Sequence, residues 1–435
     1  IDVVLFESGR SEISVNVYPL NVKTSTGTSR HGFWIRDDFG PGTYYVKIST
    51  PSDVTNYPVP YTIHAFEDVR YTDYIDECEA KTSQLNDPLI SDSLYACQWH
   101  LDNPSETDIN VEPVWEEGIK GEGVNVAIVD DGMYHAHEDL RDNVDTSRNH
   151  DYTGNGDIYI PFKHHGTHVA GLIAAIDNDI GVRGVAPRAT IYGYNFLAGE
   201  RTASNIADAM LRNVGVTAVS NNSWGPREGP GLDGANAFWK RSIENGVRVG
   251  YDDKGTLYVF SGGNGHLLGD NSNFDEYVNH YAVAAVCAVN DHDTRSGYSE
   301  WGANLWVCAP SNDETDLHQG ILTTENSDRY YEEFGGTSSS TPIVAGVAAL
   351  VRSANPDLTW RDVKLILAGS ARKNDPRNTG WQDGARKYGS TLELGRYHFN
   401  HEYGFGVVDA KAAVDLAKEW RSPPSLESVP LESST

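Results

Sequence analysis

The feature that most constrains this chain is a series of short, continuously apolar runs separated by longer stretches of helical period. The runs are VNVAIVDDG from Val124, TIYGYNF from Thr190, VTAVSNNSW from Val216, TLYVFSGGN from Thr256, YAVAAVCAV from Tyr281 and NLWVCAPS from Asn304. Interleaved or following are HHGTHVAGLIAAI, NIADAMLRNV, ANAFWKRSIENG, STPIVAGVAALVRSA and WRDVKLILAGSA. A strand that is apolar at every position is buried on both faces, which is the signature of a parallel sheet rather than a half-exposed antiparallel one. Alternation with helices then predicts an α/β fold: a parallel sheet flanked by helices on both faces.

Other material surrounds this core. Residues 1–68 read as a small all-β, sandwich-like domain, with strands expected at 3–6, 13–17, 32–35, 42–48 and 60–65, punctuated by Gly, Pro, Ser and Asp. Residues 69–118 are acidic and read as an irregular connector. The α/β domain is placed at 119–420, and 421–435 reads as a Pro/Ser-rich tail or linker.

The formal net charge of −28 argues against nucleic acid as a partner, because a phosphate backbone attracts Lys and Arg. It leaves cation binding, attraction of basic substrates, or plain solubility. No apolar run reaches the ~18 residues of a membrane span. The four cysteines form two local pairs, Cys78 with Cys97 and Cys287 with Cys308, without metal-ligand spacing. They read as two disulfides in an oxidising compartment, with four buried free thiols as the other reading. A secreted or periplasmic monomer is expected. No leader-like segment opens the stretch at Ile1, so any signal peptide is expected to have been removed.

In an open α/β sheet, chemistry sits at the carboxyl ends of the strands. Asp130 closes VNVAIVD, His165 opens a helix in HHGTHVAG, and Ser338 opens one in GGTSSSTP. A serine hydroxyl becomes nucleophilic when a histidine takes its proton and a buried carboxylate orients that histidine. Asn264, ending VFSGGN, offers an amide donor for the developing oxyanion. Two rival readings exist. His164, His165 and His168 have spacings that could place two of them on one metal, although no HExxH pattern accompanies them. An esterase of the α/β-hydrolase kind would order its triad Ser, acid, His around GxSxG, which is not the order here.

IVDDG, HGTHVAG, SGGNG and GTSSSTP, in that order, resemble the subtilisin-like serine proteases (subtilases) over about 300 residues. The resemblance implies a serine endopeptidase with Asp130, His165 and Ser338 as the triad and Asn264 as the oxyanion donor. An inactive, binding-only relative is the alternative. Asp130-Asp131-Gly132, QWHLDN, SWGP, YSE and LTWRDV further resemble the kexin/furin (proprotein convertase) branch. That branch implies protein or peptide substrates with Arg or Lys before the cut. It also implies substrate contacts at Asp131, Asp275, Tyr277 and Asp233, with Asp275 at the pocket floor.

Where the branch has an acid three residues before the catalytic histidine, Phe162 stands. Where it has one for the fourth subsite, Ile206 stands, with Asp208 nearby. Specificity broader than dibasic is the alternative these departures suggest. Structural Ca2+, at two or more sites, is implied as well. One site would use Asp92 (or Asp87), Asp139, Ile176, Asp179 and Val182. Another would use Asp270 and Glu300 with Glu228 or Asp233. The DYTGNGD loop at 151–157 is a third candidate against a plain turn.

Overall fold

A computed structural model describes residues 2–7, 17–23, 29–35, 44–49 and 69–424, the last apart from 86, 88–89, 106, 161–162, 230, 314–318 and 388–394. The chain divides into two compact units, Ile1–Val69 and Arg70–Thr435.

In the first unit, β1 (Asp2–Glu7) pairs antiparallel with β4 (Tyr44–Ser49), and β2 (Val17–Lys23) pairs antiparallel with β3 (Ser29–Ile35). The all-β expectation holds for the described strands. The second of them starts at Val17, where the expected 13–17 ended. The strand expected at 60–65 lies outside the described residues.

The connector expectation needs correction. Residues 69–118 carry helix α1 (Val69–Thr82) and the short α2 (Glu112–Glu116), and from Arg70 on they belong to the second unit. Tyr74, Ile75 and Cys78 share one helical face, and all three pack into the core. Leu94, Tyr95, Trp99, Leu101, Val111 and Trp115 are buried there too. Cys78 and Cys97 form a disulfide with Cα atoms 5.5 Å apart, pinning α1 to the turn ahead of QWHLDN.

The second unit is built on a six-stranded, all-parallel sheet ordered β10-β9-β8-β7-β5-β6. Its strands are β5 (Asn125–Val129), β6 (Thr190–Tyr194), β7 (Val219–Asn222), β8 (Leu257–Ser261), β9 (Val283–Val289) and β10 (Leu305–Pro310). Each is buried along nearly its whole length, as the unbroken apolar runs require. Cys287 and Cys308 sit opposite each other on β9 and β10 and are bridged.

The chain runs from β5 outward to β6 through α3 (His165–Ala174), then reverses past β5 to β7 through α4 (Ala203–Leu211). α5 (Ala237–Asp253) leads on to β8 in the same reversed direction. Right-handed crossovers in opposite directions place α3 on one face and α4 and α5 on the other. The reversal opens a crevice at the carboxyl ends of β5 and β7.

A hairpin of β11 (Ile321–Glu325) and β12 (Arg329–Phe334) leads into α6 (Thr337–Ala354), which packs on the sheet beside α3. α7 (Trp360–Ser370), the pair β13 (Gln382–Arg386) and β14 (Arg396–Phe399), and α8 (Ala410–Lys418) complete the unit. No described helix is long and apolar enough to cross a membrane.

Candidate active site

Asp130 follows β5 immediately and is 1% exposed. His165 is the first residue of α3, and its Nδ1 lies 2.8 Å from Asp130 Oδ1. Oδ1 also accepts the Asp131 backbone N–H at 2.8 Å. The carboxylate can only accept, so His165 Nδ1 carries the proton and Nε2 is left basic. Burial of the ring opposes its protonation. The Asp130 ion pair and hydrogen bond, with the charge of Asp131 behind them, outweigh that and raise the His165 pKa.

The approach of α3 to β5 depends on Gly166. A Cβ there would stand 1.8 Å from the Gly132 carbonyl oxygen and 3.1 Å from the Asp130 Cβ.

Ser338 stands second in α6, after Gly336 at φ 72°, a conformation that favours glycine. Pro342 lies four residues on and has no N–H for the Ser338 carbonyl. The Ser223 hydroxyl, just past β7, donates to that carbonyl at 3.1 Å, and the Ser338 hydroxyl donates back to the Ser223 carbonyl at 3.4 Å. Sequence reasoning missed Ser223. The proline at the fourth position after the serine was the available signal.

Asn264 follows β8, and its Oδ1 accepts both the backbone N–H of Thr337 (2.8 Å) and its hydroxyl (2.9 Å). With its oxygen so committed, the amide Nδ2 remains as a donor beside the start of α6. The first N–H groups of that helix, Ser338 included, have no intrahelical partner. Three strand ends and two helix starts therefore bring carboxylate, imidazole, hydroxyl and amide to one crevice.

The three histidines do not converge as a metal site. His165 faces Asp130, while His164 and His168 both bond to Glu325, which sequence reasoning did not flag. Asp131 is half-buried, accepts the Gly166 N–H at 3.0 Å, and is pushed up to about 6 by burial and by the charge of Asp130. Phe162 lies outside the described residues. Asp208 is occupied elsewhere: it accepts the Tyr152 hydroxyl at 2.7 Å and pairs with Arg212 at 2.7 Å.

Asp275 accepts the Tyr277 N–H at 2.7 Å and lies against Gly225 of the SWGP segment. Burial, and then the charges of Asp233, Asp270 and Glu228, push it up to about 7. Asp233 is bridged backbone to backbone with Asp275.

Glu228 occupies the other position the sequence left open. Glu228, Asp270 and Glu300 each offer a carboxylate oxygen, all within 4.8 Å of one another. Two oxygens bound to one Ca2+ at 2.3–2.6 Å lie at most about 5 Å apart, so the set fits a calcium ion. Burial and the hydrogen bond to Glu228 push Glu300 up to about 9. The cluster touches the Asn264 segment directly, since Glu228 accepts the Asn264 N–H and Glu300 accepts the Gly265 N–H, both at 3.0 Å.

The other expected calcium site assembles in part. Asp139 accepts the Val182 N–H at 2.9 Å, and its own carbonyl accepts the Ile176 N–H at 2.9 Å. Its buried Oδ1 has no partner, and burial pushes the group up to about 9. Asp92 receives the Asn178 N–H at 2.8 Å, but it is also paired with the buried Arg183, which supplies a cation the sequence did not foresee. Asp179 is exposed. The 151–157 loop is a turn closed on itself: the Asp151 carboxylate takes donors from Thr153, Gly156 and Asn195.

Residues 121–406 match the model of the Subtilase family, peptidase S8. Kexin of Saccharomyces cerevisiae is 36% identical over 357 residues, covering 80% of this chain and 42% of that protein. The dibasic-processing endoprotease of Schizosaccharomyces pombe is 35% identical over 340 residues, covering 76% and 46%. The chain thus spans under half the length of these curated relatives. The crystal structure of a serine protease of Aeromonas sobria superposes with a TM-score of 0.68 at 27% identity, covering 78% of this chain and 70% of that one. With its sheet, its four ordered motifs and a family match over most of its second unit, the chain belongs to the subtilase family.

Proposed function

We propose that this protein is a serine endopeptidase that cleaves peptide bonds, preferentially after Arg or Lys, through an acyl-enzyme. The observation that carries the reading is the 2.8 Å bond between His165 Nδ1 and Asp130 Oδ1, at the strand ends that also present Ser338 and Asn264. In this reading His165 Nε2 takes the Ser338 hydroxyl proton as Oγ attacks the carbonyl carbon. Asp130 steadies the imidazolium, and Asn264 Nδ2 with the Ser338 N–H receives the oxyanion. His165 then returns the proton to the leaving amine, and water hydrolyses the ester by the same steps in reverse order.

The half-buried acids support the preference for basic residues. An Arg or Lys entering the cleft loses water, and a carboxylate offsets that cost only if it is itself poorly solvated and unpaired. Asp275 and Asp131 are both half-buried and lie among other carboxylates. The name of the Schizosaccharomyces pombe relative, a dibasic-processing endoprotease, agrees with basic recognition. Broader choice beyond the nearest subsites is favoured by the commitment of Asp208 to Arg212 and Tyr152.

Glu228, Asp270 and Glu300 would hold a structural Ca2+, which supplies charge neutralisation beneath the pocket and takes no part in bond cleavage. Asp139, Asp92 and the carbonyls of Ile176 and Val182 would form a second site. The two disulfides favour an extracytoplasmic location, with peptides or proteins as partners.

Peptide libraries varied around the cut test the reading, together with labelling by a covalent serine-directed inhibitor. Labelling of Ser338 and cleavage after Arg and Lys are expected. An even spread over apolar residues would end the basic-pocket reading, and failure to label would end the catalytic one.

A further inference from the structure

The catalytic histidine sits between two others, and one carboxylate holds both. His164, the residue before it, donates through Nδ1 to Glu325 Oε1, and His168, one turn on, donates through Nε2 to Glu325 Oε2 at 3.0 Å. Both Glu325 oxygens are thus spent on the residues flanking His165, and Oε1 also accepts the Asn326 N–H at 2.7 Å. Burial works against the Glu325 charge, yet the two histidines hold its carboxyl well below the usual range.

The clamp continues on either side. Thr323 donates to the His168 carbonyl at 2.6 Å and Thr324 to the Thr167 carbonyl at 2.7 Å. Asn326 receives the Thr167 hydroxyl at 2.7 Å and donates to the Lys163 carbonyl at 3.0 Å. The end of β11 is thereby stitched to the first turn of α3. Its partner strand β12 ends in Phe334, whose ring meets the rings of His165 (5.4 Å between centroids) and His168 (4.9 Å). Four residues later comes Ser338. One hairpin therefore grips the histidine helix with one strand and delivers the serine with the other.

We infer that Glu325 is a positioning residue for the proposed reaction: by clamping His164 and His168 it sets the first turn of α3, and so the aim of the His165 ring at Ser338. This rests on the serine-peptidase reading above. Misplacement of a reacting group by about 1 Å can cost ~10²-fold in rate.

The test compares wild type, Glu325→Ala and Glu325→Gln, using the whole chain and a chromogenic Arg peptide. Active sites are counted by titration with a serine-directed inhibitor. Glu325→Ala is expected to lose roughly 10- to 100-fold in kcat per titrated site with KM within about twofold, and to shift or broaden the downfield proton resonance of the His165–Asp130 bond. Glu325→Gln, which keeps one oxygen for one histidine, should recover part of the loss. If it is the only variant that folds, a kcat between a tenth and all of the wild-type value with a displaced resonance supports the inference. Wild-type kcat with an undisturbed resonance in either folded variant would overturn it, whatever happened to the melting temperature. Failure of wild type itself to react with the inhibitor would instead sink the peptidase reading.

Discussion

The Asp130–Asp131 pair shows how two adjacent carboxylates take different tasks. Asp130 is spent on His165, while Asp131 is held by the Gly166 N–H and adds a second negative charge near the imidazole. His165 must be neutral to accept the serine proton, so kcat/KM should fall as pH drops through its raised pKa. Removing the Asp131 charge removes one cause of that rise. Asp131→Asn should therefore move the acid limb of kcat/KM to lower pH, and a limb that stays put would show that Asp131 does not act on His165. At Asn264 the expectation is a loss in kcat alone. Asn264→Ala should cost about 10²–10³-fold with KM little changed, measured by initial rates on one peptide. These residues were legible because each sits in a short motif whose glycines and apolar run announce a strand end or a helix start. Ser223 sits inside SWGP, yet nothing in that motif announces its bonds to Ser338, and Glu325 occurs in no local pattern. Each acquires its meaning only when β7 meets α6 or β11 meets α3.

At the scale of elements, β5 to β10 were readable because strands buried on both faces keep their runs mostly apolar; β7 is the exception, with Ser220, Asn221 and Asn222 buried along it. α1 was hidden for the opposite reason: its fourteen residues are mostly polar, and among its described side chains Tyr74, Ile75 and Cys78 turn inward. The β11–β12 hairpin escaped notice since its buried positions include Thr323 and Thr324, whose hydroxyls are satisfied by α3. The loops carrying Glu228, Asp270 and Glu300 lead to the next expectation. Three crowded carboxylates repel unless a cation or shared protons intervene. Chelation should lower the melting temperature, and Ca2+ should restore it, by about 2.7 kcal/mol of stability at a hundred times its dissociation constant. Glu300→Gln replaces a carboxyl that burial and Glu228 already push toward its neutral form. In chelator it should melt no lower than wild type, while gaining less from Ca2+. Equal calcium gains in the two proteins, followed by calorimetry, would take Glu300 out of the ligand set.

Across the whole molecule the question is whether an excess of 28 negative charges serves the reaction or merely solubility. Surface and pocket charges answer differently to salt. The Debye length shrinks from about 10 Å at 0.1 M to about 3 Å at 1 M, which quenches the field of exposed acids but hardly touches a carboxylate buried beside its ligand. Attraction of a basic peptide by the surface field should therefore appear as kcat/KM falling with ionic strength for Arg substrates and staying flat for neutral ones. Selection by the pocket should survive high salt. The ratio of Arg over Leu cleavage would persist at 1 M and collapse only in Asp275→Asn, since the Asp275 carboxyl is already pushed up to about 7 by burial and then by its acidic neighbours and gains most from a cation. If salt alone erased the preference, recognition would reside in the overall charge, and the half-buried acid at Asp275 would have no selective role. If Asp275→Asn erased it at every ionic strength, while salt changed Arg and Leu rates in step, the surface charge would be left with solubility as its function.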